Sequence, residues 1–310
     1  MTFVPPTPEP LPSKNERIVL RVAGLPFAVQ GAELIATLRT LGGFRPFVQP
    51  EKAYAESDWL FRFQEGTEQG KDLPSLPLHH FQTEGIDCTF SRQGEGYAFS
   101  MSGGEGSSDP CCSWVFSPSE KKALAWGKAD RTRLRFSLWM AFGTAALSRG
   151  VAALHASAIC TQGKAVLVLG ESGTGKSTHT RLWREYIPGA ELLNDDSPFL
   201  EATEEGVQVW GSPWSGKTPC YRDLAFPVTG IVRLVQAPHN RIRRLSTLEA
   251  VGALLPSFPP SFAYDRAAKD RVLTLISHTL MHVPVFRLEC RADEEAARVC
   301  YGEIFGNGLR

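Results

Sequence analysis

The chain has 310 residues, enough for one large domain or two ordinary ones that bury a core without crosslinks. Lys plus Arg and Asp plus Glu both total 33, so the formal net charge is zero and neither nucleic acid nor an anionic membrane surface is expected as a partner. No apolar run reaches the roughly 18 residues of a spanning helix. The start, MTFVPPTPEPLPSKNE, lacks the apolar core of a signal peptide, so residues 1–16 read as a flexible tail on a soluble, cytoplasmic protein.

In chain order, residues 17–29 predict two short strands around Ala23-Gly24-Leu25-Pro26, followed by a short helix over 32–41. Further strands are predicted at 59–63, 86–90, 97–101 and 113–116, with Gly, Ser, Pro and Glu clusters such as SGGEGSSDP as loops between them. Near Asp130 the character changes. RTRLRFSLWMAFGTAALSRG predicts a buried helix ending at Gly150, and from there strand and helix alternate. Strands are predicted at 151–159, 165–169, 207–210, 230–236 and 285–290, and helices at 176–186, 248–255, 270–282 and from Asp293 onward. The seven cysteines, Cys88, Cys111, Cys112, Cys160, Cys220, Cys290 and Cys300, are odd in number and never at CxxC spacing. That pattern points to a reducing compartment without a zinc site. Cys111 and Cys112, neighbours on a strand, would face opposite ways and serve as structural thiols.

The strongest signal is AVLVLGESGTGKST at 165–178, an apolar strand running into Gly170, Glu171, Ser172, Gly173, Thr174, Gly175, Lys176 and Ser177, which satisfies GxxxxGK[ST], with Thr178 continuing into an amphipathic helix. Glycines let the backbone wrap closely with its N–H groups inward, and the helix N-terminus adds positive potential, so the expected occupant is an anion. Lys176 would reach the β and γ phosphates of ATP, and the Ser177 hydroxyl would ligate a Mg²⁺ ion bridging them. The competing reading is a Gly-rich turn that binds nothing.

Beyond the loop helix, Glu191-Leu192-Leu193-Asn194-Asp195-Asp196 is a short strand delivering two carboxylates. Ligands gather at the carboxyl ends of strands in open parallel sheets, which would bring Asp195 and Asp196 to the phosphate loop. Asp195 is then expected as the base and Asp196 as the metal-side partner. Alternatively, the pair serves as turn formers ahead of Ser197-Pro198. His155, in LHASAI, lies one strand upstream of the loop; a lone histidine among apolar residues is ordinarily a satisfied core group. GSPWSGK at 211–217 has the small residues of a loop approaching a ligand. In it Trp214 would stack on a base or close the site and Lys217 would neutralise phosphate charge, unless the segment is simply a turn anchored by an aromatic. Arg222, Arg241, Arg243 and Arg244 are further anion contacts to consider, with Arg243-Arg244 reading rather as a solvated face.

LHASAI, GESGTGKST and LLNDD, in that order and spacing, resemble the catalytic domain of the HPr kinase/phosphorylase family, whose phosphate-loop architecture is shared with ATP-dependent phosphoenolpyruvate carboxykinases. The resemblance covers about residues 131–310 and is strong between His155 and Asp196. It implies that His155 and Asp195 serve the proton transfer that activates a serine hydroxyl, and that Asp196 supports the metal and phosphate end. The family's later EIRGLG-like signature is missing, and Val209–Lys217 stands in its place, so the chain looks like an HPr-kinase-related protein, some of which sit in peptide-modification gene clusters.

The expected fold class is therefore α/β: a P-loop, HPr kinase/PEP carboxykinase-like catalytic domain at residues 130–310, preceded by a small β-rich α+β domain at residues 17–129. The expected function is an ATP- and Mg²⁺-dependent kinase acting on a hydroxyl acceptor, a serine of a peptide or protein or a small molecule, in a possible homo-oligomer. Two rivals stand beside it: carboxykinase-like chemistry on a small organic acid, and a non-catalytic ATP sensor.

Overall fold

The structure is a computed structural model and describes residues 16–66, 75–103 and 112–306. The predicted tail up to residue 15, most of the SGGEGSSDP loop and Cys111 lie outside the described residues, while Cys112 is buried. The fold is mixed α/β, with two nine-stranded mixed sheets among the described residues.

Strands β1 (Arg17–Val22) and β2 (Leu25–Gln30) form a hairpin in which Val22 pairs with Leu25. Ala23 and Gly24, both at positive φ, supply the two-residue turn whose twist suits flanking strands. Helix α1 (Ala32–Thr40) comes next, then β3 (Val48–Gln49), β4 (Arg62–Glu65), β5 (Leu76–Thr83), β6 (Ile86–Gln93), β7 (Gly96–Ser102), β8 (Ser113–Ser117) and β9 (Lys122–Trp126). They assemble in the order β3-β1-β2-β4-β9-β8-β7-β6-β5. The strand predicted at 59–63 begins only at Arg62, because Leu60 N–H donates to the Pro26 carbonyl and ties this stretch to the hairpin first. Strands β5 and β9 have no counterpart among the predicted ones: LPLHHFQT and KALAW are short on β-branched residues and take their strand form from their neighbours.

Helix α2 (Arg131–Ala146) starts at Asp130, whose side chain accepts the Arg133 N–H, and runs through a 3₁₀ turn to Gly150 as predicted. From Leu134 onward it is apolar on nearly every face, the pattern of a helix enclosed by protein. Its Phe142 packs 5.2 Å from Phe27 of the first sheet and 5.1 Å from Phe199 of the second, so one continuous apolar core serves both sheets.

The second sheet is formed by β10 (Val151–Ala153), β11 (Ala156–Thr161), β12 (Lys164–Leu169), β13 (Glu191–Asn194), β14 (Phe199–Ala202), β15 (Val207–Trp210), β16 (Ala225–Gln236), β17 (Arg241–Arg244) and β18 (Val285–Cys290). Helix α3 (Lys176–Tyr186) lies between β12 and β13; α4 (Thr247–Leu254) and α5 (Arg266–His282) precede β18, and α6 (Glu294–Phe305) closes the described chain. The expected open parallel sheet is corrected here. Pairing is parallel for β12–β16 and β16–β18 but antiparallel for β11 with both β12 and β13, and for β10, β14 and β15. The single strand predicted at 151–159 is two, because Leu154 and His155 donate their N–H groups to Pro198 and Ser257 carbonyls instead of to a ladder. No helix among the described residues is long and apolar enough to cross a membrane.

Candidate active site

Strand direction alone brings the predicted residues to one edge of the second sheet. Strand β12 ends there in the Gly170 loop; β11, antiparallel to it, begins there just after His155; β13, antiparallel to β11, ends there at Asn194 and delivers Asp195 and Asp196. Two antiparallel steps leave β13 aligned with β12, which is why the carboxylates meet the loop although the sheet is mixed.

The loop leads straight into α3. Gly175 is its N-cap at φ 102, a backbone conformation that glycine adopts without strain, and no side chain caps the first turn, so its N–H groups are left to another acceptor. Lys176 is buried, and its Nζ donates to His155 Nε2 at 2.7 Å and to the carbonyls of Gly170 and Glu171 at 2.8 and 3.2 Å. Burial lowers its pKa, against the pull of Asp196, Asp195 and Glu171. His155 is exposed as a residue, with Nε2 directed to Lys176; partial burial of the imidazole, then the Lys176 charge, lowers its pKa. The Lys176 ammonium has only protons to offer, so Nε2 is the accepting side of this contact. Ser177 is exposed at the start of α3, with Thr178 half-buried beside it, and Ser172 and Gly173 line the exposed bend of the loop.

Asn194 builds the acidic turn. Its Oδ1 accepts the N–H groups of Asp196 and Ser197 at 3.0 and 2.8 Å, and its Nδ2 donates to Ser212 Oγ and the Trp214 carbonyl. The turn-forming role weighed for the two aspartates thus falls to the asparagine before them. They differ in surroundings. Asp195 is 4% exposed, and its oxygens accept from Ser157 Oγ and Thr218 N–H, each at 3.1 Å. Asp196 accepts no side-chain hydrogen bond among the described residues and lines a cavity of about 250 Å³ together with His155. Of the pair expected from sequence as base and metal-side partner, Asp196 lines the cavity, while Asp195 is held inside the protein by Ser157 and Thr218.

The 211–217 segment folds over the turn. Gly216 lies so close that a Cβ there would stand 3.0 Å from Asp196 Cβ, and Lys217 next to it is exposed. Trp214 corrects the base-stacking expectation: it is 2% exposed, donates through Nε1 to the Arg135 carbonyl and packs among Phe44, Phe142 and Phe199, so the little it presents to the His155–Asp196 cavity is too small a surface to stack a base. Arg222 is also removed from the site. It donates to the Leu192 carbonyl and to Glu191, at the far end of β13 from Asp195. Arg241, Arg243 and Arg244 lie on β17; all three are exposed, and Arg243 pairs with Glu249.

Sequence reading missed four neighbours. Arg233, on β16 opposite Leu169, reaches Glu171 of the loop at 2.9 Å, and its signal was a lone cation inside an apolar strand. Ser157 stands in LHASAI without a role of its own in the sequence reading, Arg135 and the Pro256–Pro260 wall carry no motif, and all are brought in by packing. On the other flank of the loop lies a second cavity of about 350 Å³, bordered by Gly173, Gly175, Thr178, Leu182, Gln236 and Arg291.

No known family profile matches the chain, and no curated protein matches it. Among solved structures it is similar to the Hpr(Ser) kinase/phosphatase from Coxiella burnetii, at 14% identity over 50% of this chain and 93% of that chain, with a TM-score of 0.29. A TM-score that low carries no weight for chemistry, which has to be read from the side chains themselves.

Proposed function

We propose that this chain is a kinase that binds ATP with Mg²⁺ at the Gly170–Thr178 loop and transfers the γ-phosphoryl group to a hydroxyl acceptor. The observation that carries the reading is the Lys176 ammonium, held at an uncapped helix start between His155 and the Gly170 carbonyl, with an uncommitted carboxylate, Asp196, in the adjoining cavity. Open first-turn amides and a buried cation fit a phosphate chain. The described residues gather no group of three His, Cys, Asp or Glu ligands, and Mg²⁺ bridging phosphates needs none, since it takes phosphate oxygens, water and one or two protein oxygens. Ser177 Oγ would hold it, and when bound it would neutralise charge on the β and γ phosphates.

The residues divide the work. Lys176 binds phosphate, and in doing so leaves His155 Nε2 free. Asp196 takes the proton of the acceptor hydroxyl with the neutral His155 beside it, a reversal of the order expected from sequence. Asp195, fixed by Ser157 and Thr218, holds the turn and the loop beneath Asp196. Arg233 steadies the phosphate loop through Glu171. The cavity bordered by Gly173 and Thr178 receives the nucleoside, and the His155–Asp196 cavity the acceptor.

The test is label transfer from γ-³²P-labelled ATP with Mg²⁺ to free serine, serine-bearing peptides and small hydroxy compounds. Lys176→Ala is expected to lower transfer by ~10³-fold, the size of effect seen when a preorganised charge contact is removed. Nucleotide binding without transfer to any hydroxyl compound, or transfer that survives Lys176→Ala, would remove the kinase reading.

A further inference from the structure

The acceptor cavity contains a cation that the phosphoryl-transfer reading leaves unused. Arg135, on α2, lines it together with His155 and Asp196, and among the described residues Arg135 forms no ion pair. This sets it apart from arginines elsewhere at comparable depth: Arg21 pairs with Asp223, Arg92 with Asp265 and Arg233 with Glu171. Its position is fixed from two sides, because Nη2 donates to the Ser215 carbonyl at 2.7 Å and its own carbonyl accepts Trp214 Nε1 at 2.8 Å. A half-buried guanidinium held in place with N–H groups to spare is suited to a carboxylate, which it can meet with two parallel hydrogen bonds.

Most of the remaining lining is apolar, made by Phe136 and Trp139 of α2, Phe258 and the Pro256, Pro259 and Pro260 rings, with Ser197 and Ser257 beside them. Trp139 Nε1 is already taken by Ser197 Oγ, so its ring offers the cavity a face and no donor. At about 250 Å³ the space is smaller than most ligand pockets, which limits the occupant to a compact molecule. A compact occupant that used every part of this lining would combine a carboxylate, an apolar body and a reactive hydroxyl.

We propose that the acceptor is a small hydroxy acid, its carboxylate held by Arg135, its apolar body between the Phe136–Trp139 and Pro256–Pro260 walls, and its hydroxyl at Asp196. This deepens the kinase reading and rests on it. In the transfer step the acceptor oxygen bonds to the γ-phosphorus, the bond from that phosphorus to the bridging oxygen breaks to leave ADP, and the hydroxyl proton passes to Asp196. Arg135 is a specificity determinant that touches the acceptor and not the nucleotide.

Tryptophan fluorescence of the full chain, with a non-hydrolysable ATP analogue bound, tests this directly, because Trp139 borders the cavity. The probes are 3-phenyllactate, 2-hydroxy-4-methylpentanoate and 3-hydroxybutyrate, each against its methyl ester. At least one acid is expected to bind about 10–100-fold more tightly than its ester, the effect of losing a charge-assisted hydrogen bond. Arg135→Gln should erase that difference, Arg135→Lys should restore part of it, and analogue binding by both variants should show that the fold is intact. Esters binding as well as acids, acids binding equally to Arg135→Gln, or no binding by any of the three up to tens of millimolar would overturn the proposal. Arg135-dependent acid binding with no ADP formed from ATP would leave the pocket standing and remove the kinase reading. Turnover on an acceptor without a carboxylate, unaffected by Arg135→Gln, would do the reverse.

Discussion

The two sheets share one core, yet they use their polar residues in opposite ways. In the first, the arginines are dispersed in separate ion pairs: Arg17 and Arg62 flank the Trp59 ring at 5.2 and 5.5 Å and pair with Glu56, and Arg17 also reaches Glu51. In the second, His155, Lys176 and Asp196 are drawn to a single edge, where Lys176 is buried and its charge is offset by nearby carboxylates. The two sheets are separated by strand direction and by the kind of connection at each strand end. Neighbours in the first sheet are joined mainly by turns, and its β7–β6–β5 run simply meanders. The second sheet inserts a helix after β12 and returns through β13, which stacks the Gly170–Gly175 turn beside the acidic turn. A site needs convergent strand ends; apolar alternation by itself supplies only a core.

The largest test concerns the shared core. Trp114 of β8 is fully buried and donates to the Ser137 carbonyl of α2, so Trp114→Ala is expected to cost about 3–5 kcal/mol in urea unfolding, with both sheets lost in one transition. Two separate transitions would break the comparison by showing that the sheets fold independently. Next comes the acidic turn. Asp196→Asn should lower kcat by ~10²–10³-fold with ATP affinity kept, whereas Asp195→Asn should chiefly destabilise the fold, by about 1–3 kcal/mol. The opposite pattern would return the base to Asp195.

A third test uses pH. His179 on α3 is 3% exposed and accepts the Trp183 N–H, and burial lowers its pKa from 6.5 to about 4. The unfolded chain takes up that proton first as the pH falls, so the stabilisation is whole above about pH 6.5 and is lost on the way down to 4. Roughly 3 kcal/mol is at stake between pH 7 and pH 4. His179→Gln, which keeps an acceptor for Trp183, should flatten the stability profile over that range; an unchanged slope would show that other groups cause it. The smallest effect is expected at the far end of β13, where Arg222→Ala removes an exposed pair with Glu191. It should change stability by less than ~1 kcal/mol and leave ATP affinity untouched, and a tenfold weaker nucleotide complex would put Arg222 back in the site.

Legibility tracked distance along the chain. The bounds of α3 and β18 were readable because their signals are local: a glycine stop ahead of Lys176 and compact apolar runs. The β1–β2 hairpin was readable from Ala23-Gly24 for the same reason. The break at Leu154-His155 was not, since it is made by carbonyls of Pro198 and Ser257, some 40 and 100 residues away. Trp214 misled because an aromatic among small residues looks the same whether it faces a ligand or three other rings.

By itself the sequence determined the phosphate-loop motif, the acidic pair, the upstream histidine and the helix after the loop, because each depends on residues within a few positions of one another. Only the tertiary structure decided that Asn194 makes the turn, that Asp196 and not Asp195 lines the cavity, and that Arg135 stands there with no ion pair among the described residues. Those outcomes depend on which distant donors and walls come within hydrogen-bonding reach once the strands have paired, and strand pairing is a property of the whole chain.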